Sequence, residues 1–300
     1  MIKDKILKRL RVVPGKGVSL KNFGTGWAQN DELKDAGKEA VKERAGEILQ
    51  ANREALSEAQ ELLWASDSHS VLIVLQGMDT AGKDGTIRHV MSGVNPQGCR
   101  VYSFGVPTAD ELDHDYFWRY ILKLPAKGEI GIFNRSYYEE VLVVRVHPEL
   151  LDKQRLPPGK RGKKFWETRY RDINEFERHL AASGTLILKF FLHISKDEQK
   201  KRLLERLENE EKYWKFSLAD LAERRYWDEY QDAYEKMLEN TSTEHAPWYV
   251  IPADYKWAAR ALVADVITTR IQSLDLHYPA VTPQQMEEIR RAREILREEE

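Results

Sequence analysis

Residues 77–86, Gly77-Met-Asp-Thr-Ala-Gly82-Lys83-Asp84-Gly85-Thr86, carry the strongest chemical signal in the chain. From Gly77 to Lys83 the spacing is the G-x4-G-K of a phosphate-binding loop. Glycines let backbone N–H groups turn inward around a phosphate, the following helix presents its positive N-terminus, and a lysine adds a full charge. Gly77, Ala81, Gly82, Lys83, Asp84, Gly85 and Thr86 are therefore the expected phosphate contacts. The Ser/Thr that usually ends the motif, a Mg²⁺ ligand, is Asp84 in this chain. Asp79 lies inside the loop, where a bare carboxylate repels the phosphates the loop gathers. A divalent cation between them removes that repulsion. Asp79 thus reads as a metal ligand or a substrate-orienting group; the plain alternative is an aspartate that caps a turn.

A second cluster follows the apolar run Ile130–Phe133: Asn134-Arg135-Ser-Tyr-Tyr-Glu139-Glu140. Many phosphate-loop proteins place an acidic residue aimed at the metal here. Asn134 offers only a neutral oxygen. Arg135 supplies a planar fork suited to phosphate oxygens. Glu139 and Glu140, about one helical turn later, are placed to restore negative charge near Mg²⁺, or else belong to an ordinary helix surface.

Basic residues are concentrated locally. Lys153–Arg171 holds eight Lys/Arg against Glu167 alone, and Lys212, Lys215, Arg224 and Arg225 fall in a mixed-charge segment beyond Lys196. Such concentrations in a near-neutral chain suggest a channel for a polyanion, with solvated, ion-paired helix faces as the alternative. The eight histidines show no metal-ligand spacing, and no nucleophile–histidine arrangement stands out.

Regular elements must position these groups. Val71–Leu75 is a short continuous apolar run ahead of Gly77, the pattern of a strand buried on both faces. Similar runs occur at 101–106, 129–133, 186–192 and 248–251. Helical patterns fill roughly 83–92, 109–123, 134–144, 164–183, 196–208, 219–239 and 255–275. This alternation predicts βαβ units in a three-layer α/β/α core with a parallel sheet. Residues 1–30 mix basic residues with glycine and read as an extended arm outside the core. Residues 31–65 read as helix, and 283–300 as an exposed terminal helix.

Composition excludes several classes. Among 300 residues, 47 Lys+Arg against 49 Asp+Glu leave a net charge of -2, which excludes a globally basic nucleic-acid binder. A mean hydropathy of -0.61 is that of a soluble protein. Cys99 is the only cysteine, so no internal disulfide forms, and a reducing compartment is expected. No apolar run approaches the ~18–20 residues that span a bilayer, and the N-terminus has no signal-peptide apolar region. A cytoplasmic protein is the expectation.

Leu75-Gln-Gly-Met-Asp79-Thr-Ala-Gly-Lys83-Asp84-Gly-Thr resembles the phosphate loop of the family-2 polyphosphate kinases. Phe104-Gly-Val-Pro107-Thr108, His114-Asp-Tyr-Phe-Trp-Arg119, Phe133-Asn-Arg-Ser-Tyr-Tyr-Glu139 and Leu188-Lys-Phe-Phe-Leu-His-Ile-Ser195 resemble further blocks of that family. So do Trp214-Lys-Phe-Ser217, Asp220-Leu and Ala246-Pro-Trp-Tyr-Val-Ile-Pro252. The resemblance runs in unbroken order over roughly residues 10–280.

The resemblance implies phosphoryl transfer between inorganic polyphosphate and purine nucleotides (AMP, ADP, ATP), reversible in principle and with Mg²⁺ as cofactor. It also implies a P-loop kinase core related to thymidylate kinase, a mobile helical lid near 196–225, and a homo-oligomer with no nucleic-acid or membrane partner. By position Asp79, Lys83 and Arg135 match catalytic residues, and Asp79 and Glu139 are the candidate metal ligands. Arg135, Lys212, Lys215, Arg224 and Arg225 are assigned to polyphosphate, and Phe104, Pro107, Arg119, Asn134 and Glu139 to the nucleotide. Most members carry Asp at the position of Asn134. The asparagine form resembles the class-III subgroup, which accepts AMP and ADP. The expected division is an N-terminal arm and helical extension (1–66), the kinase domain (67–280) and a helical tail (281–300). Two rivals are an ATP-dependent nucleoside monophosphate kinase on the same scaffold and a non-catalytic polyanion-binding module.

Overall fold

A computed structural model describes residue 2 and residues 4–299, without the side chains of Asp4 and Lys215. Met1, Lys3 and Glu300, at the ends of the expected arm and tail, lie outside the described residues.

The apolar runs become five strands: β1 Ser70–Gln76, β2 Cys99–Ser103, β3 Ile130–Asn134, β4 Thr185–His193 and β5 Trp248–Pro252. They form one sheet in the order β2-β3-β1-β4-β5, with every neighbouring pair parallel. β1, β3 and β5 are buried along their whole length, which is why their sequences are continuous rather than alternating. β2 is partly exposed at the sheet's edge. Its run was expected to reach residue 106, but it ends at Ser103, and Val106 is 92% exposed. Pro107, which follows Val106, cannot donate to a ladder, and Gly105, which precedes it, weakens a strand.

Helices Lys38–Ser66, Lys83–Val90 and Lys256–Gln272 pack together on one face of the sheet, and Lys163–Ala182 and Trp227–Thr241 on the other. The three expected layers are present. Register brings Leu75 opposite Asn134, and Asn134 opposite Ser103. The loops after β1, β2 and β3 therefore open at one edge. β1 has β3 on one side and β4 on the other, so the chain reverses direction around it. A ligand crevice is expected at such a switch point.

Several segments depart from expectation. The N-terminal stretch joins the core: Asp4–Leu10 is helical, and Leu10, Val12 and Leu20 are buried. Arg11 forms an antiparallel bridge with Tyr249, and the Val12 amide donates to the Trp248 carbonyl at 2.9 Å. This hydrogen bonding covers the outer edge of β5, whose backbone groups otherwise have no partner. Residues 109–123 form two short helices, Ala109–Asp113 and Trp118–Ile121, because Thr108 and Glu111 cap the first and Asp115 turns the chain before the second. Residues 134–144, expected as one helix, instead hold a 3₁₀ turn, Tyr137–Val141, and the start of a short helix, Val143–Val146. Helix Pro283–Glu298 is exposed throughout, as its composition predicts. No helix among the described residues is long and apolar enough to cross a membrane.

Candidate active site

The loop after β1 needs backbone shapes that most residues avoid. Gly77 has φ 156, and a Cβ there would stand 2.9 Å from the Leu192 carbonyl oxygen. Gly82 opens the Lys83–Val90 helix with φ 103. Thr80, not glycine, also sits at φ 65. Such strain persists where surrounding bonds over-determine it. Arg202, which is buried, provides those bonds. It donates to the carbonyls of Thr80 (2.9 Å) and Ala81 (3.2 Å), and to those of Ala253 (2.7 Å) and Asp254 (2.9 Å). Its Nε reaches Glu198 at 2.8 Å.

Lys83 is buried, and its Nζ donates to the Gly77 carbonyl at 2.6 Å. Burial, followed by the charge of Arg135, lowers its pKa to about 8, while Asp79, Glu139 and Asp84 oppose the shift. Arg135 leaves β3 at φ 63 and spreads its guanidinium between two carboxylates. Nη2 meets Asp79 at 2.6 Å and Nη1 meets Glu139 at 3.4 Å. Glu139 is the main reason that the Arg135 pKa is raised. Asn134 donates to the Asp84 carboxylate at 2.6 Å and to Ser103 Oγ at 3.3 Å. The two departures from the usual motif therefore meet. An aspartate at 134 has no N–H to offer Asp84; the asparagine amide does.

These groups line a cavity of about 420 Å³. Around it stand Lys83, Arg88, Arg135, Arg202, Arg206, Lys212, Lys256 and Arg260, against Asp79, Asp84 and Glu205. Among the described residues, Arg88, Lys212, Lys256 and Arg260 have no carboxylate within 4.0 Å. Burial, then neighbouring cations, lowers the pKa of both Lys256 and Arg260. Cations outnumber carboxylates around the cavity, and those four have no carboxylate partner among the described residues. The charge distribution suits a polyanion.

Of the expected residues, Asp79, Ala81, Gly82, Lys83, Asp84, Gly85, Thr86, Asn134, Arg135 and Lys212 line this cavity; Gly77 holds Lys83, and Glu139 holds Arg135. Others lie elsewhere. Arg224 is engaged by the Lys196 carbonyl (2.8 Å) and Gln199 (2.7 Å), and the exposed Arg225 is not among the lining residues. The Lys215 side chain lies outside the description. Arg119 stacks on Phe104 and pairs with Glu111 at 3.3 Å, and with Pro107 it lines a separate cavity of about 60 Å³. Glu140 turns away from Arg135 and accepts from Gln154 at 2.8 Å. The basic stretch 153–171 is partly neutralised by local contacts, Arg155 with Asp113 (2.5 Å) and Lys163 with Glu167 (3.6 Å).

Arg88, Arg202, Lys256 and Arg260 were not expected. Lys256 and Arg260 carried a usable signal, since their i,i+4 spacing on the helix after β5 sets both on one face. Arg202 carried none, because four of its five bonds go to backbone carbonyls.

Among the described residues no three His, Cys, Asp or Glu side chains gather to hold a metal by themselves. Mg²⁺ does not need such a cage: it binds through one or two carboxylates together with substrate phosphates and water. Asp79 and Glu139 converge on one guanidinium, and the buried Asn134 Oδ1 has no hydrogen-bond partner. This all-oxygen donor set fits Mg²⁺.

Comparison with known proteins agrees with the geometry. The polyphosphate kinase 2 family profile matches residues 39–279. An ADP-polyphosphate phosphotransferase of Rhodopseudomonas palustris is 56% identical over 256 residues, 85% of this chain and 89% of that one. An AMP/ADP-polyphosphate phosphotransferase of Meiothermus ruber is 51% identical over 273 residues, 91% of this chain and 96% of that one. The crystal structure of polyphosphate kinase 2 from Arthrobacter aurescens superposes with a TM-score of 0.78 at 42% identity, covering 91% of this chain and 90% of that one. With sequence, parallel sheet and phosphate loop in agreement over this length, the chain belongs to the polyphosphate kinase 2 family.

Proposed function

We propose that the protein transfers phosphoryl groups from inorganic polyphosphate to AMP and ADP, giving ADP and ATP. The observation that carries this reading is the excess of unpaired cations beyond the phosphate loop. A nucleotide engages Lys83 and Arg135. Lys212, Lys256, Arg260 and Arg88 extend the positive surface past them and suit a longer phosphate chain. Asn134 and the similarity to the AMP/ADP-polyphosphate phosphotransferase of M. ruber support acceptance of both nucleotides.

The acceptor is a nucleotide phosphate, largely ionised at neutral pH because its second pKa is about 6. No strong general base is required. Catalysis then rests on in-line positioning and on neutralising charge at the transferring group. Lys83 and Arg135 supply fixed positive charge, and Asp79 and Glu139 aim the Arg135 fork. The same carboxylates, with Asn134, would hold Mg²⁺, which when bound offsets the charge of the phosphate oxygens. Asp220, on the 196–225 segment, is held by Arg206 at 3.2 Å, and its pKa is raised by burial and then by Asp79. That proximity supports a lid role for the segment. We divide the chain accordingly into 1–66, a kinase domain 67–280 and the helical tail 281–300, and infer a cytoplasmic homo-oligomer.

The test is to incubate ADP with polyphosphate and Mg²⁺ in the absence of ATP. Formation of ATP is expected. An enzyme that phosphorylates AMP from ATP alone would overturn the reading in favour of a nucleoside monophosphate kinase. Absence of any turnover, with polyphosphate still bound, would leave a polyanion-binding module.

A further inference from the structure

Behind Arg135 lies a fully buried polar network that the chemistry above does not use. Glu177, on helix Lys163–Ala182, and Lys189, in the middle of β4, are both 0% exposed and pair at 2.6 Å. Tyr137 and Tyr138 each donate their hydroxyl to the same oxygen, Glu177 Oε1, at 2.8 Å. Lys189 also donates to Tyr138 Oη (2.8 Å) and to the Thr241 carbonyl (2.7 Å). All three ammonium donors are thereby satisfied.

Stability alone is a poor explanation. Replacing a buried ion pair with apolar side chains of similar volume is often neutral or stabilising. The geometry suggests another role. Tyr137 and Tyr138 are consecutive in a 3₁₀ turn, where successive side chains diverge by about 120°. Their convergence on one oxygen leaves the turn a single orientation. Arg135 stands two residues before this turn at φ 63, and Glu139 lies inside it. Ser136 strengthens the link: its hydroxyl donates to Gln76 Oε1 at 3.1 Å and accepts from the Tyr138 amide at 3.3 Å, and Gln76 Nε2 donates to Glu139 Oε1 at 3.0 Å. Fixing the turn fixes both the guanidinium and the carboxylate that aims it.

We propose that Glu177 is a positioning residue, setting Arg135 and Glu139 for phosphoryl transfer through the hydroxyls of Tyr137 and Tyr138. The proposal rests on the assignment of Arg135 to the transferring phosphate. It separates two properties that a purely structural network would keep together.

Two variants test it. Tyr137→Phe/Tyr138→Phe keeps both rings and the ion pair but removes the hydroxyls. Its kcat should fall by about tenfold or more, as expected for a small misplacement of a reacting group. Its KM for polyphosphate should stay within about twofold, since the cavity cations are untouched. Glu177→Gln keeps an acceptor oxygen for both hydroxyls and a donor toward Lys189, which can be neutral. It should melt earlier than wild type yet retain most of the wild-type kcat at a temperature where it is folded. Opposite rankings in stability and turnover are the expected result. If kcat follows melting temperature across the variants, or if folded Tyr137→Phe/Tyr138→Phe turns over at the wild-type rate, the inference is wrong. Should Glu177→Gln not fold, the double tyrosine variant decides alone. Wild-type turnover on polyphosphate is measured alongside, so failure of the substrate assignment is seen separately, and the variants are then compared on whichever phosphoryl donor the wild type uses.

Discussion

Two lysines of this protein, Lys83 and Lys189, are both buried and differ in what surrounds them. Burial lowers the pKa of both. Lys189 meets a carboxylate, a phenol and a carbonyl at 2.6–2.8 Å. Lys83 has only loop carbonyls, at 2.6 and 3.4 Å, and borders a cavity lined with further cations. A buried charge whose partners are complete belongs to the framework. One whose best partners are backbone carbonyls, beside open space and like charges, belongs to the ligand.

Substituting the two lysines is the direct way to break this contrast. Lys189→Met leaves Glu177 buried without its cation and should lower stability by about 3–5 kcal/mol. Denaturant melts will show this, and an unshifted midpoint would remove Lys189 from the framework. Lys83→Met should cost about 3–4 kcal/mol of transition-state stabilisation, as for loss of one preorganised donor. Its melting midpoint should not fall, since the charge it loses is desolvated rather than paired. High turnover in the folded Lys83→Met variant would end the assignment of that residue to the reaction.

The next effect is smaller and concerns the cavity wall. Lys256→Ala/Arg260→Ala removes two cations with no carboxylate partner. It should raise the polyphosphate KM by about tenfold, equivalent to ~1.4 kcal/mol, with little change in kcat. The dependence of KM on salt should also flatten, because fewer counterions are released on binding. Identical salt slopes in variant and wild type would move the polymer path away from this helix.

The mildest effect is in the pH profile. Lys83 must be protonated to attract phosphate, and its pKa is about 8 rather than 10.5. The charged form is therefore lost as pH rises through about 8 in the free enzyme. kcat/KM should decline there, whereas kcat should decline at higher pH, since bound phosphate favours the charged lysine. A flat kcat/KM profile up to pH 10 would contradict the burial argument.

Much of this was legible in the residues themselves. β1 is one continuous apolar run, and G-x4-G-K follows it without a gap, so both strand and site could be read locally. The features that were not legible depend on distance. Asn134 and Asp84 each look like a motif defect until the fold sets them 2.6 Å apart. Arg202 recognises backbone oxygens, which no side-chain pattern announces. Arg224 has the composition of a polymer contact, yet local carbonyl and amide oxygens satisfy it first. Leu10 and Val12 lie in a segment too short and too charged to show a period, and only the open edge of β5 gives them a place.

That edge has a consequence for assembly. Arg11 and Val12 lie along Tyr249 and Trp248, leaving β2 as the one strand edge without a backbone partner among the described residues. Sheets with two open edges can add copies indefinitely and grow into fibres. A sheet with one can join a second copy and then has nothing left to offer. Arg11 and Val12 thus shield β5 from edge-to-edge pairing, and displacing them would expose a second open edge.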